Sequence, residues 1–419
     1  MPQSSSHATG PIVVRKYGGS SLADIERLGA VARDLKAARD AGQRLVVVVS
    51  AMGDTTDRLA EQARQANPRP PRRELDMLLT VGERISMSLL CMALDAEGVP
   101  AVSFTGSQAG IITDCSHTDA RILAVRPIRV PEVLDEGKVV VIAGFQGVCG
   151  ETKEITTLGR GGSDTSAVAL AHALGAERCE ILKDVPGVMT ADPKHVPSAR
   201  RIERLDYDQM QNLADGGCGV VHAKAVAYAR QHGVDLFVGS SFDPGPGTEI
   251  NAVHVSPRET GDEFRPLTLT VGKDQARLVL GAPGPELHPG LAAITRRATA
   301  DGPLTAQWLA GGDRWFWEAW GPRAHLEPAA AEALALAEAE AETVMAHWED
   351  GRAVLTLVGT RPENWPVGLT PLQSALSDLG ADDLPLRTDG DAVRILASES
   401  SLPDLAVKLH DALLAPTSP

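Results

Sequence analysis

The sequence predicts an α/β protein: a mostly parallel sheet covered on both faces by helices, followed by a smaller α+β half. Three observations carry this. Short, nearly continuous Val/Ile runs alternate with amphipathic stretches over residues 12–241, and strands apolar on both faces belong to sheets buried on both sides. The composition then breaks near residue 260. All three tyrosines (Tyr17, Tyr207, Tyr228) and all five cysteines precede the break, and all six tryptophans follow it, from Trp308 to Trp365. Beyond it, a strand–helix–strand–strand–helix–strand rhythm occurs twice.

In chain order, residues 1–10 are polar and read as a loose tail. Candidate strands follow at IVVRKY (12–17), RLVVVVSA (44–51), VPAVSF (99–104), KVVVIAGF (138–145), CEILKDV (179–185) and VDLFVGSS (234–241). Helical patterns lie between them at 21–41, 74–96, 163–174 and 223–232. This first domain is expected over 11–255, with SPRETGDEF (256–264) as a linker. In 265–419, LTLTVGKDQARLVLGA reads as a strand or hairpin edge and PGLAAITRRATAD as a helix. LTAQWLAG and RWFWEAWG read as a hairpin, and the Ala/Glu-rich 327–342 as a helix by propensity. AVLTLVG, 370–380, AVRILAS and 402–414 repeat the theme, which makes two ferredoxin-like modules.

Composition narrows the function classes. With 419 residues, 43% hydrophobic and 23% charged, the chain has room for two or three packed domains. No run approaches ~18 consecutive apolar residues, so no membrane span is expected and the cytoplasm is the default. A net charge of −15 counts against nucleic acid and anionic membranes as partners. Cys91, Cys115, Cys149, Cys179 and Cys218 are odd in number and lack zinc spacing. They read as reduced filler, and no protein-held metal site is expected.

There is no P-loop, no Rossmann G-x-G-x-x-G after a strand and no H-R-D, so any nucleotide cradle here is of another kind. Four segments are candidates. RKYGGSSLAD (15–24) ends a strand in Lys16 and follows it with Gly18, Gly19 and Ser20. The glycines let backbone N–H groups approach an anion beside a helix that Ser21 would open, with Asp24 in capping-box spacing. A plain strand–helix turn explains the same residues. TTLGRGGSDTSAVAL (156–170) surrounds Arg160 with glycines and starts a helix at Ser163 and Asp164. Arg160 would clamp a carboxylate, and Asp164 would position Lys16 or act as an N-cap. SAMGDTTDRL (50–59) offers Ser50, Thr55 and Thr56, and LLTVGERIS offers Glu83, a partner for a substrate ammonium or an ordinary helix residue. LKDVPGVMTADPK (182–194) reads as a rigid loop at the carboxyl edge of the sheet, or as an ordinary turn.

Taken together, KYGGSS, SAMGDTTD, VGE, GFQG, TTLGRGGSDTSA and TADP, in this order from Lys16 to PGPGTEI (244–250), resemble the aspartate kinases of the amino-acid-kinase family. The resemblance implies a three-layer amino-acid-kinase sandwich followed by tandem ACT-like modules over 265–419 that regulate or dimerise. It implies transfer of the ATP γ-phosphoryl group, with Mg²⁺, to the side-chain carboxylate of aspartate, on the route to lysine, threonine and methionine. Lys16, Arg160 and Asp164 would be catalytic. Ser50, Thr56, Glu83, Phe145, Arg160 and Gly161 would bind aspartate. Gly18, Gly19, Ser20, Lys183, Asp184, Gly187, Met189, Asp192 and Lys194 would bind ATP. A homodimer or higher homo-oligomer through the C-terminal modules is implied too.

This sequence departs from the family pattern in places. Met189 replaces an aromatic residue, Lys194 an arginine, and Gly219 a phosphate-contacting lysine or arginine. The effector turn of the family reads Leu287-His288-Pro289-Gly290 here, with leucine where aspartate is usual. A weakly active or inactive paralogue serving as a regulatory subunit is the alternative these departures leave open.

Overall fold

The computed structural model describes residues 10–243, 245–252, 264–283, 288–300, 304–311, 314–340, 343–360 and 368–414. The tail before residue 10, the linker at 256–263 and Leu287 lie outside the described residues. The chain divides into two compact units. Among the described residues the first holds 10–188, 201–214 and 219–252, and the second 189–200, 215–218 and everything from 264 on.

The first unit is built on an eight-stranded sheet. Its centre is β1 (Ile12–Tyr17), flanked in parallel by β2 (Arg44–Val49) and β9 (Arg178–Lys183). Beyond β2 lie β6 (Val139–Ala143) and β3 (Ala101–Phe104), and beyond β9 lie β11 (Leu236–Ser240), β12 (Thr248–Asn251) and β10 (Arg204–Asp206). Only the β11–β12 contact is antiparallel. Val13, Tyr17, Val47, Val49 and Val141 pack under α1 (Ile25–Asp40) and α4 (Val81–Ala96). Strand alternation sends Lys16 to the opposite face. There α6 (Gly162–Leu174) lies, buried from Gly162 to Ala171.

A second, four-stranded sheet was not expected: β5 (Ile122–Val125), β4 (Ile111–Thr113), β7 (Gln146–Cys149) and β8 (Ile155–Thr157). Its strands hold three or four residues each, too few for periodicity to show. Parallel pairing of Thr113 with Cys149 brings Cys115 and Cys149 together as a disulfide, Cα atoms 4.9 Å apart. That corrects the reading of all five cysteines as reduced; Cys91, Cys179 and Cys218 form no disulfide. Long-range pairing of strands made this contact, and sequence spacing carries no trace of it. The predicted 74–96 helix is two, α3 (Arg72–Leu79) and α4, broken at Thr80. Together they are long and apolar enough to cross a membrane by length and composition alone, and Leu79, Met87, Leu90 and Leu94 are core residues here. α2 (Thr55–Ala66), α5 (Arg129–Asp135), α7 (Tyr207–Asp215) and α8 (Ala223–His232) complete the helices up to residue 232.

The second unit is one six-stranded antiparallel sheet, ordered β14 (Thr305–Gly311), β15 (Arg314–Pro322), β13 (Arg265–Pro283), β16 (Met345–Thr360), β18 (Ala392–Ser398), β17 (Leu386–Asp389). β13 is a single 19-residue strand serving two modules. Its second half pairs with β15 and the first half of β16; its first half pairs with the second half of β16, which pairs in turn with β18. One module is thus inserted within the other rather than following it. The first uses α9 (Pro289–Ala300) and α10 (Arg323–Ala339) over Leu278, Leu280 and Trp317. The second uses α11 (Thr370–Asp378) and α12 (Leu402–Leu413) over Leu355, Leu357 and Ile395. The strands change module at a register shift between Gly272 and Gln275, with left-handed Asp274 (φ 54) and Gly351 (φ 62) at the bend.

Candidate active site

Parallel register aligns the carboxyl ends of β1, β2 and β9, and open α/β sheets bind ligands at that edge. Lys16 and Asp164 meet here. The Lys16 Nζ lies 2.6 Å from Asp164 Oδ1, with both side chains buried. The other oxygen, Oδ2, lies 3.4 Å from Lys183 Nζ and accepts the His222 backbone N–H at 3.4 Å. Lys183 also donates to the Gly219 carbonyl at 3.2 Å. Burial alone would raise the Asp164 carboxyl; Lys16 and Lys183, with the bonds from Lys16 and His222, hold it at about 2.

Asp164 is not the cap of its helix. Gly161, left-handed at φ 69, occupies that position. A β-carbon there would lie 2.0 Å from His222 Cγ, so the turn admits only glycine. The expected opening of a helix at Ser21 is also corrected. Ser20–Leu22 form a single 3-10 turn, and Asp24 caps α1 by accepting the Arg27 N–H at 2.8 Å. Ser21 is buried and bonds Ser241 Oγ at 2.7 Å instead of capping a helix. Gly19 lets the 50–54 loop approach, for its β-carbon would lie 2.8 Å from the Ala51 carbonyl oxygen.

Glu83 sits in the first turn of α4 and is 3% exposed. Its Oε1 accepts the Ala51 N–H at 3.1 Å, while Oε2 is buried with no hydrogen-bond partner. Burial pushes this carboxyl up to about 7, against the pull of its own N–H, that of Ala51, and the Lys16 charge. Ser50 follows β2 directly and is half-buried, and Thr56 lies in the first turn of α2. Phe145 is left-handed (φ 69), held by N–H donation to Ser166 Oγ at 3.1 Å and by the Leu158 N–H on its carbonyl at 2.9 Å. Arg160 is exposed between two left-handed glycines, Gly159 and Gly161. A buried carboxylate with an unpartnered oxygen and an exposed guanidinium suit the ammonium and carboxylate on the α-carbon of an amino acid. Two ammonium groups around one carboxylate suit phosphate charge.

Residues 11–240 match the amino acid kinase family. An aspartokinase of Corynebacterium efficiens is 42% identical, covering 96% of this chain and 95% of its own. One from Mycobacterium tuberculosis is 40% identical over 96% of each chain. The chain belongs to the amino acid kinase family, among its aspartate kinases. An aspartate kinase structure from Synechocystis is 36% identical, with a TM-score of 0.54, covering 97% of this chain and 70% of that one. A crystal structure of E. coli aspartokinase III in complex with aspartate and ADP has a TM-score of 0.75 over 96% of this chain and all of its own. At 23% identity that likeness shows the fold alone.

The expected nucleotide residues of this aspartate kinase fall into two groups. Gly18, Gly19, Ser20, Lys183, Asp184 and Gly187 belong to the first unit. Met189, Asp192 and Lys194 belong to the second, where Asp192 Oδ1 accepts the Lys194 N–H at 2.9 Å and the Met189 carbonyl accepts from Thr268 at 3.0 Å. His222 was missed. Its one sequence signal is its place just before the helix at 223–232, where it caps through Nδ1 and its N–H reaches Asp164.

Proposed function

We infer that this chain transfers the γ-phosphoryl group of ATP to the side-chain carboxylate of L-aspartate, with Lys16, Asp164 and Lys183 on the phosphoryl side and Glu83 and Arg160 on the aspartate side. The Lys16–Asp164 pair at the carboxyl end of β1 carries the reading. An aspartate carboxylate oxygen attacks the γ-phosphorus and ADP leaves, giving 4-phospho-L-aspartate. The acceptor is already ionised at neutral pH, so no general base is required. The barrier is the meeting of two anions, and catalysis is mainly positioning and charge neutralisation. Lys16 supports the transferred group, Lys183 adds the second positive charge, and Asp164 fixes both. Glu83 Oε2 receives the substrate ammonium and Arg160 the α-carboxylate, with Ser50, Thr56, Phe145 and Gly161 shaping that end.

ATP enters as its Mg²⁺ complex, since Mg²⁺ is commonly held by substrate phosphates with only one or two carboxylates. Among the described residues no group of three His, Cys, Asp or Glu forms a cage for it. A reaction that consumes ATP and feeds amino-acid synthesis belongs in the cytoplasm. Trp308, Leu309, Trp315 and Met345 of the second unit are exposed, which supports pairing with a second copy through that unit. Trapping the acyl phosphate with hydroxylamine tests the assignment. Hydroxamate must form only with ATP and L-aspartate together, and its absence from folded wild type would sink the reading.

A further inference from the structure

We propose that Asp76 is a positioning residue for the aspartate side of the site, tying the helix that carries Glu83 to the glycine turn that carries Arg160. It rests on the assignment of those two groups to the substrate's ammonium and α-carboxylate. Asp76 lies on α3 and is fully buried. Its Oδ1 accepts the Thr157 hydroxyl at 2.6 Å, both oxygens accept the Thr118 N–H at 3.1 Å, and His117 Nδ1 lies 2.7 Å from Oδ2.

Each tie leads to the substrate side. Thr157 ends β8, three residues before Arg160, and its carbonyl accepts the Ala120 N–H at 2.8 Å. Thr118 is held left-handed at φ 72, a conformation unfavourable to a β-branched residue. Next to it, the Asp119 carboxylate pairs with Lys224 and packs on Gly159, where a β-carbon would lie 2.4 Å from Oδ1. In the other direction α3 runs through Thr80 into α4 and Glu83, and the Thr80 carbonyl accepts the Gln146 side-chain amide at 3.2 Å, beside Phe145. One buried carboxylate therefore joins the α3–α4 corner, the 117–120 loop and the start of the Arg160 turn. Glu83 and Arg160 hold the two polar groups of the substrate's α-carbon, so their placement relative to Lys16 is what separates aspartate from an acceptor one methylene longer. A hub that sets this placement acts on acceptor affinity and acceptor length, not on ATP.

The test is steady-state kinetics on the full chain, with Thr157→Val, Thr157→Ser and Asp76→Asn beside Glu83→Gln and Arg160→Lys. Thr157→Val and Asp76→Asn are expected to raise KM for L-aspartate about tenfold, the scale of one lost bond to a charged group. The preference for L-aspartate over L-glutamate falls with it, while KM for ATP stays near wild type. Thr157→Ser, which keeps the hydroxyl, restores KM. Should Thr157→Val leave KM and acceptor preference unchanged while Glu83→Gln raises KM, Asp76 is a plain core residue and the proposal is overturned alone. No effect from Glu83→Gln or Arg160→Lys removes the substrate-side assignment, and this proposal with it. If Asp76→Asn does not fold, the two Thr157 variants decide.

Discussion

At the level of single residues, the site combines a carboxylate kept charged with one kept close to neutral. Lys16→Ala leaves Asp164 with Lys183 and His222, so the chain is expected to fold. Turnover should still fall by roughly 10²–10³, as when one preorganised stabiliser of developing charge is lost; near wild-type hydroxamate formation would refute the role. Glu83 gives a signed pH dependence. Its folded value of about 7 stands above the ordinary 4.5, so the folded chain holds a proton that the unfolded chain releases. Its stabilising contribution is complete below pH 4.5 and lost as pH rises to about 7. Asp164 has the opposite sign, stabilising above 3.8 and losing that as pH falls toward 2. An ammonium needs the ionised Glu83, so KM for aspartate should climb as pH drops below 7. Glu83→Gln should flatten that profile and raise KM at pH 8 without lowering Tm; a lower Tm with unchanged KM would make Glu83 structural. Gly219 tests the missing cation. A β-carbon there meets nothing within 4 Å, so Gly219→Lys should fit and tighten ATP about tenfold, by one bond to a charged group. Equal affinity on titration would mean that Lys183, already bonded to the Gly219 carbonyl, supplies that charge alone.

At the level of elements, Val/Ile runs marked the central strands because β1, β2 and β6 are apolar on both faces. Short strands such as β4 and β8 escaped, since three residues carry no period. The length of β13 lies between two readings in the sequence, since LTLTVGKDQARLVLGA suits a strand or a hairpin edge; the chain crosses GKDQ as one strand with a bulge. The facing bend in β16 sits at Gly351, left-handed and with open space around it. Gly351→Ala should therefore cost only backbone strain, about 1–2 kcal/mol, and lower the apparent Tm of the second unit by a few degrees. An unchanged melting curve would show that the bend relaxes.

For the whole molecule, regulation is the open matter on which sequence drift bears most. The second unit keeps two helix-covered cores, so it has retained its packing. The leucine at position 287 replaces the charge expected in the effector turn; that residue lies outside the described ones. A charged ligand group left without its partner costs affinity, and strong inhibition by lysine or threonine through that turn is not expected. Activity measured with millimolar lysine, threonine and both together checks this. Sub-millimolar inhibition that disappears when residues 265–419 are deleted would show that the unit still senses amino acids.

The sequence by itself determined the class of the first unit and the candidates for its site, because glycine turns, strand ends and the charges beside them are local features. It marked Lys16, Glu83, Arg160 and Asp164 as candidates and left Asp164 between two roles, a partner for Lys16 or a helix cap. Only the tertiary structure decided that Asp164 pairs with Lys16 rather than capping its helix, that Ser21 bonds Ser241, and that Cys115 meets Cys149. It also decided that one module of the second unit is inserted in the other. Each of these depends on contacts between residues far apart in the chain, chosen by packing and strand register, which no local pattern records.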